Sequence, residues 1–196
     1  ATGVTYFDAM KQMQRQRAKA VIVCANGSET PRLLLNSASA RFPQGLANSS
    51  GIVGRHLMFN TYTEVHAQFE HPLNEFKSVQ DTRMVMDFYD SDPKRGFYGG
   101  GGIDGRFGQY PVQFALGGLG PGSPTWGEAY ARQLQQQFSR TMALGCHGTS
   151  LPLAGNSITL DPSLKDAWGL PCMRVTYTDH PDDLKNSAFL SRHAAD

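Results

Sequence analysis

The chain has 196 residues, of which 40% are hydrophobic and 18% are charged, and its formal net charge at pH 7 is +1. This balance excludes the basic surface that nucleic-acid binding requires, and no apolar run reaches the roughly 20 residues of a membrane-spanning helix. We therefore expect a soluble chain of one or two domains, cytoplasmic or periplasmic, with no nucleic-acid partner and no membrane span.

The sequence predicts no metal site and no disulfide framework. Cys24, Cys146 and Cys172 are far apart and form no C-x-x-C pair, so we interpret them as free, buried thiols. Asp90 and Asp92 lack the ligand spacing and the terminal glutamate of a calcium loop, so their segment is interpreted as a solvated turn.

The first elements are two strands separated by a connector. Residues 3–8 are rich in β-forming side chains and predict a strand, whereas residues 10–17 are polar and basic and predict a solvated connector. Residues 21–23 are apolar and β-branched, a pattern typical of a strand that is buried on both faces.

A turn and a helix follow the second strand. Asn26 and Gly27 tolerate positive φ, and Thr30 with Pro31 suits the start of a helix. Free N–H groups at a helix start attract anions and polar ligands, which makes this turn suitable as one wall of a nucleotide site. A turn with a purely structural role is an equally good interpretation.

The middle of the chain predicts antiparallel strands. Apolar and polar residues alternate over residues 60–69, as in a half-buried strand, and His66 is therefore interpreted as a strand residue and not as a ligand. Residues 84–89 predict a further strand, which ends in the turn-rich residues 90–96.

Residues 100–105 formally match the G-x-G-x-x-G pattern of dinucleotide-binding folds. Proline and aromatic residues follow instead of a helix, so the strand, turn and helix context of that fingerprint is missing. We interpret the segment as a glycine-rich loop.

Residues 125–128 have the Thr-x-x-Glu pattern of a capping box and predict the start of a helix. An apolar residue recurs at every fourth position after it, which predicts a helix face packed against a sheet. These residues are Tyr130, Leu134, Phe138 and Met142.

Residues 143–149 predict a strand that contains His147. This histidine has no Asp, Ser or Cys partner at a readable spacing, so we interpret it as a structural hydrogen bonder and not as a catalytic base.

The last elements are a strand pair and a helix. Residues 158–160 and 173–177 predict antiparallel strands with a long connection between them. Pro181 and the acidic residues after it predict a helix start. Residues 191–196 contain no C-cap glycine, so we expect this helix to continue past the end of the sequence.

Three segments carry a family resemblance. Residues 25–37, ANGSETPRLLLNS, resemble the second signature of the glucose-methanol-choline (GMC) oxidoreductases, which are flavoenzymes, and residues 45–58, GLANSSGIVGRHLM, resemble the segment that follows it. Residues 156–171, with NSITLDP and KDAWGLP, are similar to a hairpin of the same family. Asn26 in place of the usual glycine resembles the gluconate and sugar dehydrogenase branch.

The resemblance implies an α+β fold, in which an antiparallel sheet backed by helices carries a piece of the α/β FAD-binding domain. Residues 1–58 would belong to the FAD-binding domain and residues 59–196 to the substrate-binding domain. It also implies a cofactor-binding role for five residues, and no catalytic residue. The five are Asn26, Gly27, Thr30, Val53 and Gly54.

By the same resemblance, the chain corresponds to the middle of a dehydrogenase that oxidises an alcohol, sugar or sugar acid by hydride transfer to FAD. We expect the FAD fingerprint and the catalytic histidine to lie in remaining segments of the enzyme, and the chain alone to be inactive and not to retain FAD. The alternative is a noncatalytic binding or interaction domain that has kept the substrate-domain fold.

Overall fold

A computed structural model describes residues 1–79, 81–106, 110–117 and 119–196. Its helices and antiparallel strands confirm the predicted α+β class. The strands are β1 (Gly3–Phe7), β2 (Met13–Arg17), β3 (Thr61–Gln68), β4 (Asp81–Val85), β5 (Gly101–Arg106), β6 (Thr141–Gly148), β7 (Ser157–Lys165) and β8 (Pro171–Thr176). The helices are α1 (Asn26–Asn36), α2 (Pro111–Gly117), α3 (Gly127–Gln137) and α4 (Pro181–Ala195), with 3₁₀ turns at Glu75–Lys77, Pro93–Arg95 and Phe138–Arg140.

The chain forms two compact units. Unit 1 combines residues 1–58 with residues 152–178, and unit 2 combines residues 59–151 with residues 179–196. Within the described residues, no helix is both long enough and apolar enough to cross a bilayer. The assignment of residues 1–58 to an FAD-binding domain and of residues 59–196 to a substrate-binding domain stays a prediction.

Unit 1 begins with a hairpin. The predicted first strand is confirmed as β1, but the predicted connector is wrong, because β2 pairs with β1 in antiparallel register. Asp8 closes the turn, since its Oδ1 accepts hydrogen bonds from the backbone N–H groups of Met10 and Gln12. Every residue of β2 is exposed, so the strand carries no apolar alternation that the sequence could display.

The strand predicted at residues 21–23 is also wrong. These residues have no regular secondary structure, and Ile22 is 86% exposed. A strand requires a neighbouring strand to satisfy its backbone hydrogen bonds, and the described residues place none beside this segment. The predicted burial is therefore wrong as well, because an apolar composition does not by itself provide a neighbouring strand.

Helix α1 begins at Asn26, which has the predicted positive φ, of 60°. The predicted start at Thr30 and Pro31 is wrong, because the side chain of Asn26 already caps the helix. Its Oδ1 accepts from the N–H groups of Ser28 at 2.8 Å and Glu29 at 2.9 Å. Pro31 therefore lies inside the helix.

Asn26→Val is expected to lower the free energy of unfolding by about 1–2 kcal/mol, because a β-branched residue is forced into the left-handed region. Asn26→Gly is the matched control, since glycine keeps the positive φ and replaces a capping residue at a cost of only a few tenths of a kcal/mol. Urea unfolding measures both variants. A valine variant no less stable than the glycine variant would contradict the role of φ.

Unit 1 ends with the predicted antiparallel pair, which is confirmed as β7 and β8. The long connection is wrong. Strand β7 continues to Lys165 through a register irregularity after Leu160, which leaves only residues 166–170 between the strands.

Unit 2 is a four-stranded antiparallel sheet in the order β3, β6, β5, β4, against which α4 packs. Its core is formed by Ile103, Cys146 and Leu190, and burial raises the pKa of the Cys146 thiol. All three cysteines are free as predicted, but Cys24 is exposed and Cys172 is half-buried.

The glycine-rich segment is a buried strand, so its interpretation as a loop is wrong. Residues 101–105 are buried in β5, at the centre of the sheet. A Cβ on Gly101 would lie 2.7 Å from Leu190 Cδ1 and would overlap the His147 carbonyl oxygen. Glycine therefore lets α4 approach the sheet closely. Helix α2 follows, against expectation, but the glycines lie within an antiparallel strand and not between a strand and a helix.

The other strands of unit 2 lie at or near their predicted positions. Strand β3 alternates as predicted and contains His66, and β6 lies close to the predicted position. Strand β4 ends at Val85, earlier than predicted, because the chain turns where the N–H of Tyr89 donates to the Met86 carbonyl.

The helices of unit 2 differ in how well they were predicted. Helix α3 begins at Gly127 without a side-chain cap, so the predicted capping box is wrong. Of the predicted apolar face, only Tyr130 and Leu134 lie on α3. Phe138 belongs to the following 3₁₀ turn and Met142 to β6. Helix α4 begins at Pro181 as predicted, with the ring of His180 accepting from the Asp182 N–H.

Candidate functional site

Four of the five predicted cofactor residues line one cavity in unit 1, with a volume of about 380 Å³. Gly27 and Thr30 come from the first turns of α1, and Val53 and Gly54 come from the segment before β3. Asn26 is not in the lining, although it caps the helix that forms one wall. The remaining lining residues are Pro31, Leu34, Arg55, His56, Leu57, Met58 and Ile158.

Asn48 stabilises the loop that forms the second wall of the cavity, which contains Val53 and Gly54. Sequence reasoning did not single out this residue. Its side chain is buried, donates to the Gln44 carbonyl at 2.8 Å and accepts from the Val53 N–H at 3.1 Å. Gly54 then has a φ of 78°, and its carbonyl accepts from the Ile158 N–H at 2.6 Å. The available signal was the position of Asn48 within the second resembling segment.

Arg32 joins the first and third resembling segments. Its Nη2 lies 2.7 Å from Asp166 Oδ2, and its Nε donates to the Pro171 carbonyl at 2.9 Å. Its Nη1 lies 3.2 Å from Glu29 Oε2. Arg32 and Asp166 are 134 residues apart in sequence, so this contact fixes α1 against the turn between β7 and β8.

Asp166 makes the stability of unit 1 dependent on pH. The hydrogen bond from Arg32, with the N–H groups of Leu170 and Trp168, holds the pKa of this carboxyl below its ordinary value. Its stabilising contribution is therefore present above the unfolded-state pKa of about 3.9 and is lost as the pH falls through the folded pKa.

Asp166→Asn is expected to flatten the acid limb of the stability profile, by at most about one proton. Urea unfolding between about pH 2 and pH 6 measures the slope. Arg32→Gln should flatten the same limb, because it removes the partner that shifts the pKa. An unchanged slope in both variants would contradict the coupling.

The cavity fits a flat and largely apolar group better than a phosphate. Asn26 Oδ1 already occupies the N–H groups of Ser28 and Glu29, which an anion at this helix start would use. Much of the lining is aliphatic. A Cβ added to Gly27 would have no atom within 4 Å, so that glycine leaves space that no described side chain fills. These features suit the ring system of a flavin.

Unit 2 contains a separate polar cluster around His147, and the expectation that this residue lacks an Asp partner is wrong. Its Nε2 lies 2.7 Å from Arg106 Nη2 and 3.4 Å from Asp104 Oδ2. Arg106 in turn holds Asp104, with Nε 3.3 Å from Oδ1 and Nη2 3.2 Å from Oδ2. The ring of Tyr62 lies 5.0 Å from that of His147.

Both ring nitrogens of His147 have polar neighbours. Arg106 has no lone pair, so Nε2 of His147 accepts its hydrogen bond. Nδ1 lies 3.3 Å from the amide nitrogen of Asn60. That His147 is not a catalytic base stays a prediction.

Gly145 makes room for this cluster. A Cβ at this position would overlap Asp104 Oδ1 and would lie 2.7 Å from Arg106 Nε. Asp104 is paired with Gly145 across the sheet, and Gly102 with His147, so neighbouring strands bring the polar side chains together. Among the described residues, no group of three or more His, Cys, Asp or Glu side chains could hold a metal ion.

Comparison with known proteins gives three significant relatives, all dehydrogenases by name. The chain is 34% identical to 2-methyl-1,2-propanediol dehydrogenase of Mycolicibacterium austroafricanum, over 94% of this chain and 34% of that protein. It is 29% identical to the fructose dehydrogenase large subunit of Gluconobacter japonicus, over 97% and 34%. It is 26% identical to the gluconate 2-dehydrogenase flavoprotein of Pantoea cypripedii, over 97% and 32%.

The chain spans about a third of the length of the curated relatives that it matches. No protein-family model matches it.

Proposed function

We propose that this chain is a portion of an FAD-dependent dehydrogenase of the glucose-methanol-choline type, which oxidises an alcohol, a sugar or a sugar acid. The observation that carries the proposal is that Gly27, Thr30, Val53 and Gly54 line the same cavity. The names of the three relatives support dehydrogenase chemistry, and one of those names includes a flavoprotein.

The residues of unit 1 would bind and orient the cofactor. Aliphatic side chains such as Leu34 and Val53 would exclude water from one side of the ring system, and Gly27 would leave space for its edge. The chemistry that a flavin would supply here is acceptance of a hydride from the substrate carbon. We assign no catalytic residue to this chain, and we propose that remaining segments of the enzyme supply the phosphate contacts and the catalytic base.

The decisive experiment uses the full-length protein. It is purified, its visible absorption is recorded, and 2-methyl-1,2-propanediol, D-fructose and D-gluconate are added without oxygen. Oxidised flavin that is bleached by at least one of these compounds supports the proposal. A folded protein that binds no flavin and oxidises none of them would contradict it and would favour the noncatalytic binding domain. The 196-residue chain alone serves as a control that should lose flavin on gel filtration.

Gly27→Ala in the full-length protein is expected to weaken flavin binding by about 5- to 100-fold, as overpacking costs about 1–3 kcal/mol. Its effect on stability should be neutral or slightly favourable, because alanine is the better helix former by at most about 1 kcal/mol. Flavin release on dilution and thermal unfolding measure the two effects.

Gly155→Ala is the matched control, since a Cβ there also has no neighbour within 4 Å but the residue does not line the cavity. It should leave flavin binding unchanged. Equal flavin affinity in the Gly27 and Gly155 variants would show that Gly27 does not face the cofactor.

A further inference from the structure

The cluster around His147 has no role in the proposed cofactor site. It consists of Asn60, Tyr62, Asp104, Arg106 and His147, which we call the polar cluster. Its members come from β3, β5 and β6 and from the residue that precedes β3. Ile103 and Cys146 alternate with members of the polar cluster along β5 and β6, and they pack with Leu190 in the hydrophobic core.

The polar cluster is held in place and yet is accessible. The side chain of Asp104 is only 5% exposed and is fixed by two contacts from Arg106, above the space that Gly145 leaves free. The side chain of His147 is 32% exposed, and Tyr62 is 41% exposed. A buried carboxylate thus orients a guanidinium and an imidazole at an open surface.

The groups in the polar cluster suit hydroxyl ligands. Arg106 offers only donors, and the carboxamide of Asn60 offers both donors and an acceptor. Burial, and then the charge of Glu64, raise the pKa of Tyr62, so its hydroxyl remains a donor at neutral pH. Each hydroxyl of a polyol both donates and accepts, and the ring of Tyr62 offers an apolar face to its carbon chain.

The local charge opposes an acidic ligand. The one guanidinium, that of Arg106, is already paired with Asp104, and Asp81 lies 4.0 Å from its Nε. Glu64 projects from the same face of β3 as Tyr62 and acts on it electrostatically. A ligand carboxylate would therefore meet a site with more negative than positive charge, without an unpaired cation to bind it.

We propose that the polar cluster is a recognition site for uncharged polyols and sugars and that it discriminates against sugar acids. This proposal rests on the proposed function, whose substrate class it narrows. In it, Asp104 and Gly145 position the site, while Tyr62, Asn60, His147 and Arg106 contact the hydroxyl groups.

The test is calorimetric titration of the full-length protein with D-glucitol and with D-gluconate, which have the same carbon chain and differ by a carboxylate at one end. D-Glucitol should bind at least about tenfold more tightly. Tyr62→Ala and His147→Gln should each weaken D-glucitol binding by about 3- to 10-fold, as expected for the loss of one contact. In turnover the same factor should appear in KM, with kcat changed by less than about twofold.

Gln68→Ala is the control, because Gln68 is an exposed residue on the same face of β3 and lies outside the polar cluster. It should change neither binding nor KM. If Tyr62→Ala does not fold, Tyr62→Phe tests the hydroxyl alone. Glycerol and D-fructose are titrated as further neutral probes.

Three results would overturn the proposal. The first is that D-gluconate binds as tightly as the neutral probes, and the second is that no neutral probe binds. The third is that the folded variants of Tyr62 and His147 bind D-glucitol like the wild type. Absence of flavin or of turnover would instead contradict the proposed function, and the calorimetric comparison would still decide this one.

Discussion

Leu190→Ala is expected to lower the free energy of unfolding by about 2–5 kcal/mol. Leu190 lies on α4 with no exposed surface and packs with Ile103 and Cys146 in the core of unit 2. A Cβ at Gly101 would lie 2.7 Å from its Cδ1, so β5 has no side chain at that position. Gly101 cannot fill the cavity left by the substitution, so the cost should lie in the upper part of the range.

The matched control is Leu184→Ala, on the same helix. Leu184 is 58% exposed, so the same chemical change should alter stability by no more than about 0.5 kcal/mol. Urea unfolding of both variants, followed by circular dichroism, gives the comparison. Similar losses of stability in the two variants would show that α4 does not pack against the sheet through Leu190.

Gly54→Ala should lower the free energy of unfolding by about 2–4 kcal/mol, because two costs add. At a φ of 78° any Cβ is strained, and at this position it would also overlap the Ile158 carbonyl oxygen. Arg55 and Ser157 form a β-bridge beside this contact, so the bridge should be lost with it.

Gly51→Ala separates the two costs of the Gly54 substitution. Gly51 has a similar φ, of 71°, but a Cβ there would have no atom within 4 Å. Its substitution should therefore cost only the conformational part, about 1–2 kcal/mol. Equal destabilisation by the two substitutions, measured by urea unfolding, would mean that the contact with Ile158 adds nothing.

Periodicity in the sequence predicted the elements that have one buried and one exposed face. Strand β3 has this alternation, and the start of α4 has a proline and acidic residues in their usual places. Strand β2 is exposed throughout and β5 is glycine-rich and buried, so neither has a pattern that distinguishes a strand from a loop. Residues 21–23 show the converse case, in which an apolar run has no neighbouring strand in the described chain.

The two candidate sites differ in how far sequence could predict them. Four residues of the unit 1 cavity were named from a family resemblance, and their role with flavin stays a prediction. The polar cluster was missed because its contacts depend on strand register. His147 is opposite Gly102, and Asp104 is opposite Gly145, at separations that a linear motif does not encode.

The interleaving of the two units has a consequence for folding during synthesis. Asp166 leaves the ribosome 134 residues after Arg32, which corresponds to roughly 7–27 s at bacterial and eukaryotic elongation rates. During that interval α1 and the segment around Gly54 have neither β7 nor β8 to contact. Unit 2 lacks only α4 once β6 has emerged. The contacts of α1 with β7 and β8 can therefore form only seconds after α1 itself has been synthesised.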